Sequence, residues 1–244
     1  MLNVMTTGVS RGLGLTISRR LAAAGYRVLG VARTASPELI EAQKGAARDG
    51  CGAIEHLSFD LSQIEQIHEF VSAARRSYGS LYGLINNAAI GTSGLLANMH
   101  NSQIEALIRL NVNAPIVLTK YVVRHMMADG GGRIVNIGSI IGITGYSGLS
   151  VYGASKSAIM GFTRSLSREV GKVGITVNAI APGFMDTEMT KDLDDGQRER
   201  IARRSALQRL PTPDDVARTV EFLLGDGGRN ISGTTVTVDA GATA

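Results

Sequence analysis

Tyr152-Gly-Ala-Ser-Lys156 places a phenol and an ammonium four residues apart. On a helix, positions i and i+4 share one face, so the two groups would lie side by side. A free phenol titrates near pH ~10 and is a poor base at neutral pH. A neighbouring cation favours the phenolate and draws that pKa toward the working pH, where general acid–base chemistry is most effective. Upstream, Arg133-Ile-Val-Asn-Ile-Gly-Ser139 reads as a buried apolar strand with Ser139 at its carboxyl end, where its hydroxyl can face Tyr152 and hydrogen-bond a substrate oxygen. The Tyr–Lys spacing also fits an ordinary amphipathic pair on a helix surface, so the rest of the chain has to decide.

Apolar strand-like runs alternate with helical stretches along all 244 residues. Strands are expected at Leu2–Thr6, Tyr26–Ala32, Ala53–Phe59, Leu81–Ile85, Arg133–Gly138, Ile175–Ile180 and Thr235–Val238. Helices are expected over Gly12–Ala24, from Pro37, and over Ile64–Tyr78, Ser102–Met127 and Ser150–Gly171, the long fourth one preceded by Ser/Asn-type capping residues. Repeated β-α-β units with near-continuous apolar strands imply an α/β fold, a Rossmann-type doubly wound parallel sheet of about seven strands with helices on both faces. No linker, repeat or low-complexity tract interrupts it, so residues 1–244 read as a single dinucleotide-binding catalytic domain. The charged stretch 183–200 contains no visible sheet element and is the candidate lid.

The first strand runs into Thr7-Gly8-Val9-Ser10-Arg11-Gly12-Leu13-Gly14. Glycines at 8, 12 and 14 permit a tight turn and close approach of backbone to a pyrophosphate, and the helix that follows offers free amides and its positive dipole end. A plain Gly-rich βα turn is the alternative reading. NAD sites usually carry an acid at the end of the second strand to hold the ribose hydroxyls. Here that strand ends Gly30-Val-Ala-Arg33-Thr34, without one. Arg33 and Arg11 are two guanidiniums suited to a 2′-phosphate, which favours NADP(H); two solvated arginines are the alternative.

Composition narrows the class. Hydrophobic residues make up 44% and charged residues 19%, enough to build a core. A net charge of +4 with scattered Lys and Arg gives no nucleic-acid footprint. Cys51 is the only cysteine, so no intrachain disulfide can form and a cytoplasmic protein is expected. No signal peptide or apolar run long enough to span a membrane is apparent, so no membrane partner is expected. His56, His68, His100 and His125 show no metal-ligand spacing, and no metal is expected.

Together these residues resemble the classical short-chain dehydrogenase/reductase family over essentially the whole chain. The Gly8–Gly14 turn matches its TGxxxGxG. Asp60-Leu61 matches the position that holds the adenine, and Asn86-Asn87-Ala88-Ala89 matches NNAG with Ala89 for the usual Gly. That replacement should be mild unless the position needs positive φ. Asn111, Ser139, Tyr152 and Lys156 match the catalytic tetrad, and Pro182, Gly183 and Thr187 the segment around the nicotinamide carboxamide. The cofactor-binding residues implied are Gly8, Ser10, Arg11, Leu13, Gly14, Arg33, Asp60, Leu61, Asn87, Tyr152, Lys156, Pro182, Gly183, Met185 and Thr187. Within the family the chain is most similar to 3-oxoacyl-acyl-carrier-protein reductases, from Arg168-Glu-Val through Asn178, Ala181 through Thr190, and Ser232 through Gly241.

The resemblance implies hydride transfer from NADPH to a carbonyl. Tyr152 would give the proton, Ser139 polarise the oxygen, Lys156 lower the Tyr152 pKa and hold the nicotinamide ribose, and Asn111 position a water linking Lys156 to solvent. A 3-oxoacyl thioester is the expected substrate, with another ketone, sugar or cyclic alcohol as the alternative and a non-catalytic scaffold as the third reading. The pocket candidates Ile140, Ile141, Phe184 and Met189 are apolar and lean toward an acyl chain. Relatives receive an acidic acyl carrier protein on basic residues that here read Ala128-Asp-Gly-Gly131 and Lys172-Val173; only Lys172 and nearby Arg124 could substitute. A homotetramer is expected through the Tyr152 helix (Ile159, Met160, Phe162, Leu166) and the tail Thr234–Ala244.

Overall fold

In the strand β1 (Asn3–Thr7), Val4 and Met5 point to opposite faces of the sheet and both are fully buried. The same alternation recurs at Val28/Leu29 in β2 (Arg27–Ala32), Leu84/Ile85 in β4 (Leu81–Asn86) and Ile134/Val135 in β5 (Gly132–Ile137). A pleated strand sends successive side chains to opposite faces, so continuous apolar runs demand cover on both. With β3 (Ala53–Ser58), β6 (Ile175–Pro182) and β7 (Thr235–Val238), the strands form a seven-stranded sheet ordered β3-β2-β1-β4-β5-β6-β7. Every pairing is parallel. This is a computed structural model, and it describes residues 1–185 and 195–244.

One face is covered by α1 (Gly12–Ala23), α2 (Pro37–Asp49) and α8 (Pro213–Leu224), the other by α3 (Ile67–Tyr78), α5 (Ala114–Asp129) and α6 (Ser150–Val170). Local signals set their limits. Ser36 caps α2 through the Leu39 amide with Pro37 in the first turn, and Gly50 closes it at φ 70. Thr212 and Asp215 form a capping box at the start of α8. The last described helix of the lid candidate, α7, spans Asp195–Arg204. Residues 186–194 of that candidate, Thr187 and Met189 among them, lie outside the described residues.

The expected long helix Ser102–Met127 is interrupted. It comprises α4 (Asn101–Ile108), a π turn over Arg109–Asn113, and α5. Pro115 has no N–H to return to the Asn111 carbonyl four residues back, and its ring would crowd that carbonyl in a regular helix; the widened turn relieves both. The N-cap is His100 rather than a Ser or Asn, with its amide held by the Gln103 side chain at 3.1 Å. Asn101–Asp129 is also long and apolar enough to cross a membrane by length and composition, contrary to the sequence expectation. Its Leu107, Leu118, Val122 and Met126 are buried, the last three in the core beneath the sheet.

Candidate active site

Strand order reverses between β1 and β4, and the carboxyl ends of the strands flanking that point form the crevice where doubly wound sheets bind ligands. The Gly-rich turn lies there. Gly8 and Gly12 have φ of 74° and 56°, and a Cβ on Gly14 would stand 2.1 Å from the Gly8 carbonyl oxygen. Only glycine closes this turn. The space where a Cβ of Gly12 would lie is open. Helix α1 begins with no side-chain cap and no acid in its first turn, leaving its amides and dipole to an anion. Asn87 braces the turn, its Nδ2 donating to the carbonyls of Thr7 at 2.8 Å and Gly8 at 3.3 Å. Thr7 Oγ1 in turn accepts the amides of Asn87 and Ala88, each at 3.0 Å. Ala89 is not among the positive-φ residues, so its replacement of glycine carries no backbone strain.

The Gly8 amide donates to the Val31 carbonyl at 2.8 Å, which sets the end of β2 against this turn. Arg33, just after β2, and Arg11, in the Gly-rich turn, are both exposed. On the far side of β2, Asp60 is held below the usual carboxylate range, mainly by the Ser62 amide and less by Arg33. Leu61 beside it is buried in the core and Leu13 packs on the opposite face. Pro182 ends β6, the Gly183 amide donates to the Val238 carbonyl at 3.0 Å, and Met185 packs against the core.

Ser139, Tyr152 and Lys156 converge as expected at the end of β5. Ser139 is buried, caps the short turn Ile140–Gly142 by accepting the Ile141 amide at 3.2 Å, and stands near enough to the Tyr152 phenol to favour its ionised form. Lys156 is 5% exposed; its Nζ donates to the Ile137 carbonyl at 2.9 Å and lies 5.7 Å from the Tyr152 ring centroid. One expectation is corrected here. Burial raises the Tyr152 pKa, with Ser139 pulling the other way and no opposing effect from Lys156. Burial likewise lowers Lys156 to about 8, because its charge has been taken out of water. The ammonium is spent on a backbone carbonyl and sits over the ring rather than at the phenol oxygen.

Asn111 also behaves differently from expectation. Its amide grips Ile90 from both sides, accepting from the Ile90 N–H and donating to the Ile90 carbonyl, each at 2.9 Å, and reaches Ser155 Oγ at 3.3 Å. It pins the loop after β4 to the catalytic helix, and no contact with Lys156 is among its bonds. Sequence reading missed this partner and missed Ser155. It also missed a buried chain in which Asn86 donates to Thr119 and Asn136, and Asn136 to Thr163, at 2.8–2.9 Å. The polar residues at otherwise apolar strand and helix positions were its only sequence signal. The helix residues offered for subunit pairing are corrected too: Ile159, Met160 and Leu166 are at most 8% exposed within the chain's own fold.

A dinucleotide turn, a buried serine beside a half-buried tyrosine and a lysine against its ring define a nicotinamide oxidoreductase site on a doubly wound sheet. The family model for short chain dehydrogenases matches residues 2–198, and the chain belongs to that family. It is 37% identical to the 3-oxoacyl-acyl-carrier-protein reductase FabG of Pseudomonas aeruginosa over 97% of this chain and 95% of the relative. The FabG of Escherichia coli K12 is also 37% identical over the same shares. Among solved structures, a short chain dehydrogenase from Burkholderia cenocepacia in complex with NADP superposes with a TM-score of 0.92 at 35% identity, covering 100% of this chain and 98% of that one. A blue fluorescent protein from a metagenomic library in complex with NADPH does so with a TM-score of 0.92 at 33% identity and the same coverage.

Proposed function

We propose that this protein is an NADPH-dependent reductase of 3-oxoacyl thioesters. The observation that carries it is the Ser139–Tyr152 hydroxyl pair set against the apolar cluster of Ile140, Ile141, Leu149, Ala181 and Phe184. A carbonyl oxygen placed on the two hydroxyls leaves the remainder of its substrate against hydrocarbon. An acyl chain suits that wall, whereas a polyol would leave hydroxyls unpaired. The 37% identity to two FabG reductases points the same way.

The residues fit the cofactor. Gly8, Ser10, Leu13 and Gly14 with the open α1 N-terminus would hold the diphosphate, Arg11 and Arg33 the 2′-phosphate, Asp60 and Leu61 the adenine, and Asn87, Pro182, Gly183, Met185 and Thr187 the nicotinamide half. Bound there, the cofactor supplies the hydride. Ser139 donates to the substrate oxygen and stabilises the charge that develops on it. Tyr152 delivers its proton to the same oxygen; its raised pKa keeps it protonated beforehand. Lys156 stands below the ring to support the tyrosine and the cofactor ribose, and Asn111 positions the loop that closes the crevice.

Residues 1–244 act as one catalytic unit in this reading, and the exposed thiol of Cys51 suits a reducing, cytoplasmic setting. Either a coenzyme or a carrier protein presents the thioester. Asp129, at the place where relatives are basic, is neutralised by Arg75 at 2.8 Å, so it does not repel an acidic carrier. The assembly we infer is a homotetramer. Its α6 contact would use the exposed small residues Ala154, Ser157, Ala158 and Ser165 in place of the buried apolar ones, with the open edge of β7 as the second. Light scattering that returns a monomer at micromolar concentration contradicts the assembly. NADPH oxidation followed across a ketone panel tests the reaction: acetoacetyl thioesters should be reduced faster than sugars or cyclic ketones, and the reverse order overturns it.

A further inference from the structure

The Tyr146 ring lies 5.5 Å from the Phe184 ring, tilted by 52°. Phe184, like Leu149 and the Tyr152 ring, packs against the cluster of Ile140, Ile141 and Ala181, and Tyr146 lies against Phe184 at the outside of that wall. It remains 50% exposed, and Ile143 in the same turn is 52% exposed. The turn that carries them is fixed. The Tyr146 carbonyl accepts the Leu149 amide at 3.2 Å, and the Leu149 carbonyl accepts the Gly153 amide at 2.7 Å inside the first turn of α6. A second loop is clipped to it by the Gly94 amide on the Gly148 carbonyl at 2.9 Å, and that loop presents Leu95 and Leu96, at 63% and 56% exposure. A large aromatic ring held half in water on a braced turn, continuous with an apolar active-site wall, needs something apolar to cover it.

We propose that Tyr146, tilted against Phe184, is a specificity-determining residue that selects for 3-oxoacyl chains longer than four carbons, the alkyl chain leaving Tyr152 along the Tyr146–Phe184 rings. This rests on the thioester reading above and deepens it. Carbonyl chemistry ends at Ser139 and Tyr152, so methylenes beyond the fourth carbon meet only ring and aliphatic surface. Full burial is worth about fourfold in affinity per methylene, and a half-exposed wall roughly twofold.

The test is kcat/KM with NADPH for N-acetylcysteamine thioesters of acetoacetate, 3-oxohexanoate, 3-oxooctanoate and 3-oxodecanoate. The wild type should gain about twofold per methylene at least to 3-oxooctanoate, carried by KM. Tyr146→Ala should flatten that series, falling most for the longest chains, while Tyr146→Phe retains it because the ring and not the hydroxyl is the contact. Phe222→Ala, an equally exposed phenylalanine on α8 outside this cluster, should leave the slope unchanged. A flat series in the wild type, an equal loss on every chain in Tyr146→Ala, or a change of oligomeric state in that variant with the slope intact overturns the proposal. If no 3-oxoacyl thioester turns over at any length, the reaction assignment fails separately. Binding of the saturated hexanoyl-to-decanoyl thioesters to the NADP-loaded protein then decides the wall, and affinity independent of chain length overturns it.

Discussion

Lys156 Nζ sits 5.7 Å from the centroid of the Tyr152 ring while donating to the Ile137 carbonyl. Four residues of helix place the two side chains on one face, but the strand end of β5 decides where the ammonium goes. The side chain that acts on the phenol is Ser139. In the proposed mechanism Tyr152 delivers the proton, Ser139 orients the oxygen and Lys156 supports the tyrosine.

Tyr152→Phe removes the proton donor and keeps the ring that packs against Ile140, Ile141 and Ala181. A general acid contributes about 10²–10⁴-fold, so kcat should fall by that amount. NADPH affinity and thermal stability should stay near wild type. Retention of more than a few per cent of wild-type kcat would rule out Tyr152 as the acid.

Burial of Lys156 ties stability to pH. Its pKa is lowered from 10.5 to about 8 in the folded chain, so between those values the unfolded chain holds a proton that the folded chain has released. Stability contributed by this group is therefore lowest below pH 8 and is recovered as pH rises toward 10.5. The raised Tyr152 pKa acts in the opposite direction but only above pH 10. Urea unfolding of cofactor-free protein should show the wild type gaining about 2 kcal/mol on Lys156→Met between pH 7 and pH 9.5. Parallel curves for the two proteins would show that the ammonium is not desolvated in solution.

Asn111→Ala leaves the Ile90 N–H and carbonyl without their partners. Two unsatisfied backbone groups cost about 2–4 kcal/mol, which for a chain of this size is roughly 5–15 °C in melting temperature. Loss of activity should accompany the loosened loop, and calorimetry with NADPH present should recover part of the lost stability. A variant with wild-type melting temperature and impaired turnover would return Asn111 to a role at the reacting groups themselves.

Cofactor choice turns on Arg33. The end of β2 carries no acid, and a partly exposed guanidinium–phosphate contact is worth about 1.5–3 kcal/mol. At ~1.4 kcal/mol per tenfold, NADPH should be preferred roughly ten- to a hundredfold over NADH. Arg11 shares the phosphate, so Arg33→Ala should recover only part of the difference, whereas Arg33→Asp adds repulsion and a ribose partner and should invert it. The measurement is kcat/KM for both cofactors in each protein. A wild type that prefers NADH refutes this reading of the strand end.

Much of the architecture could be read before any coordinates. Continuous apolar strands separated by helix-period stretches leave one economical solution, a parallel sheet covered on both faces, because each strand has two hydrophobic sides to bury. The β7 limits Thr235–Val238 agree with the structure to the residue. The convergence of Ser139 with Tyr152 was legible as well, since a strand end and the first turn of the next helix are neighbours in such folds. Pro115 was the overlooked signal for the π turn at Asn111, a local rule that a long apolar periodicity overshadowed.

The sequence by itself determined which chemical groups are present and which strand ends carry them, because period and turn chemistry are local properties of the chain. Only the tertiary structure decided what each group does with its hydrogen bonds. Asn111 is spent on Ile90 and Lys156 on Ile137 because folding brings carbonyls distant along the chain within reach of these donors. The burial that raises Tyr152 and lowers Lys156 likewise exists only once the sheet, α6 and the turn after β5 have closed around them.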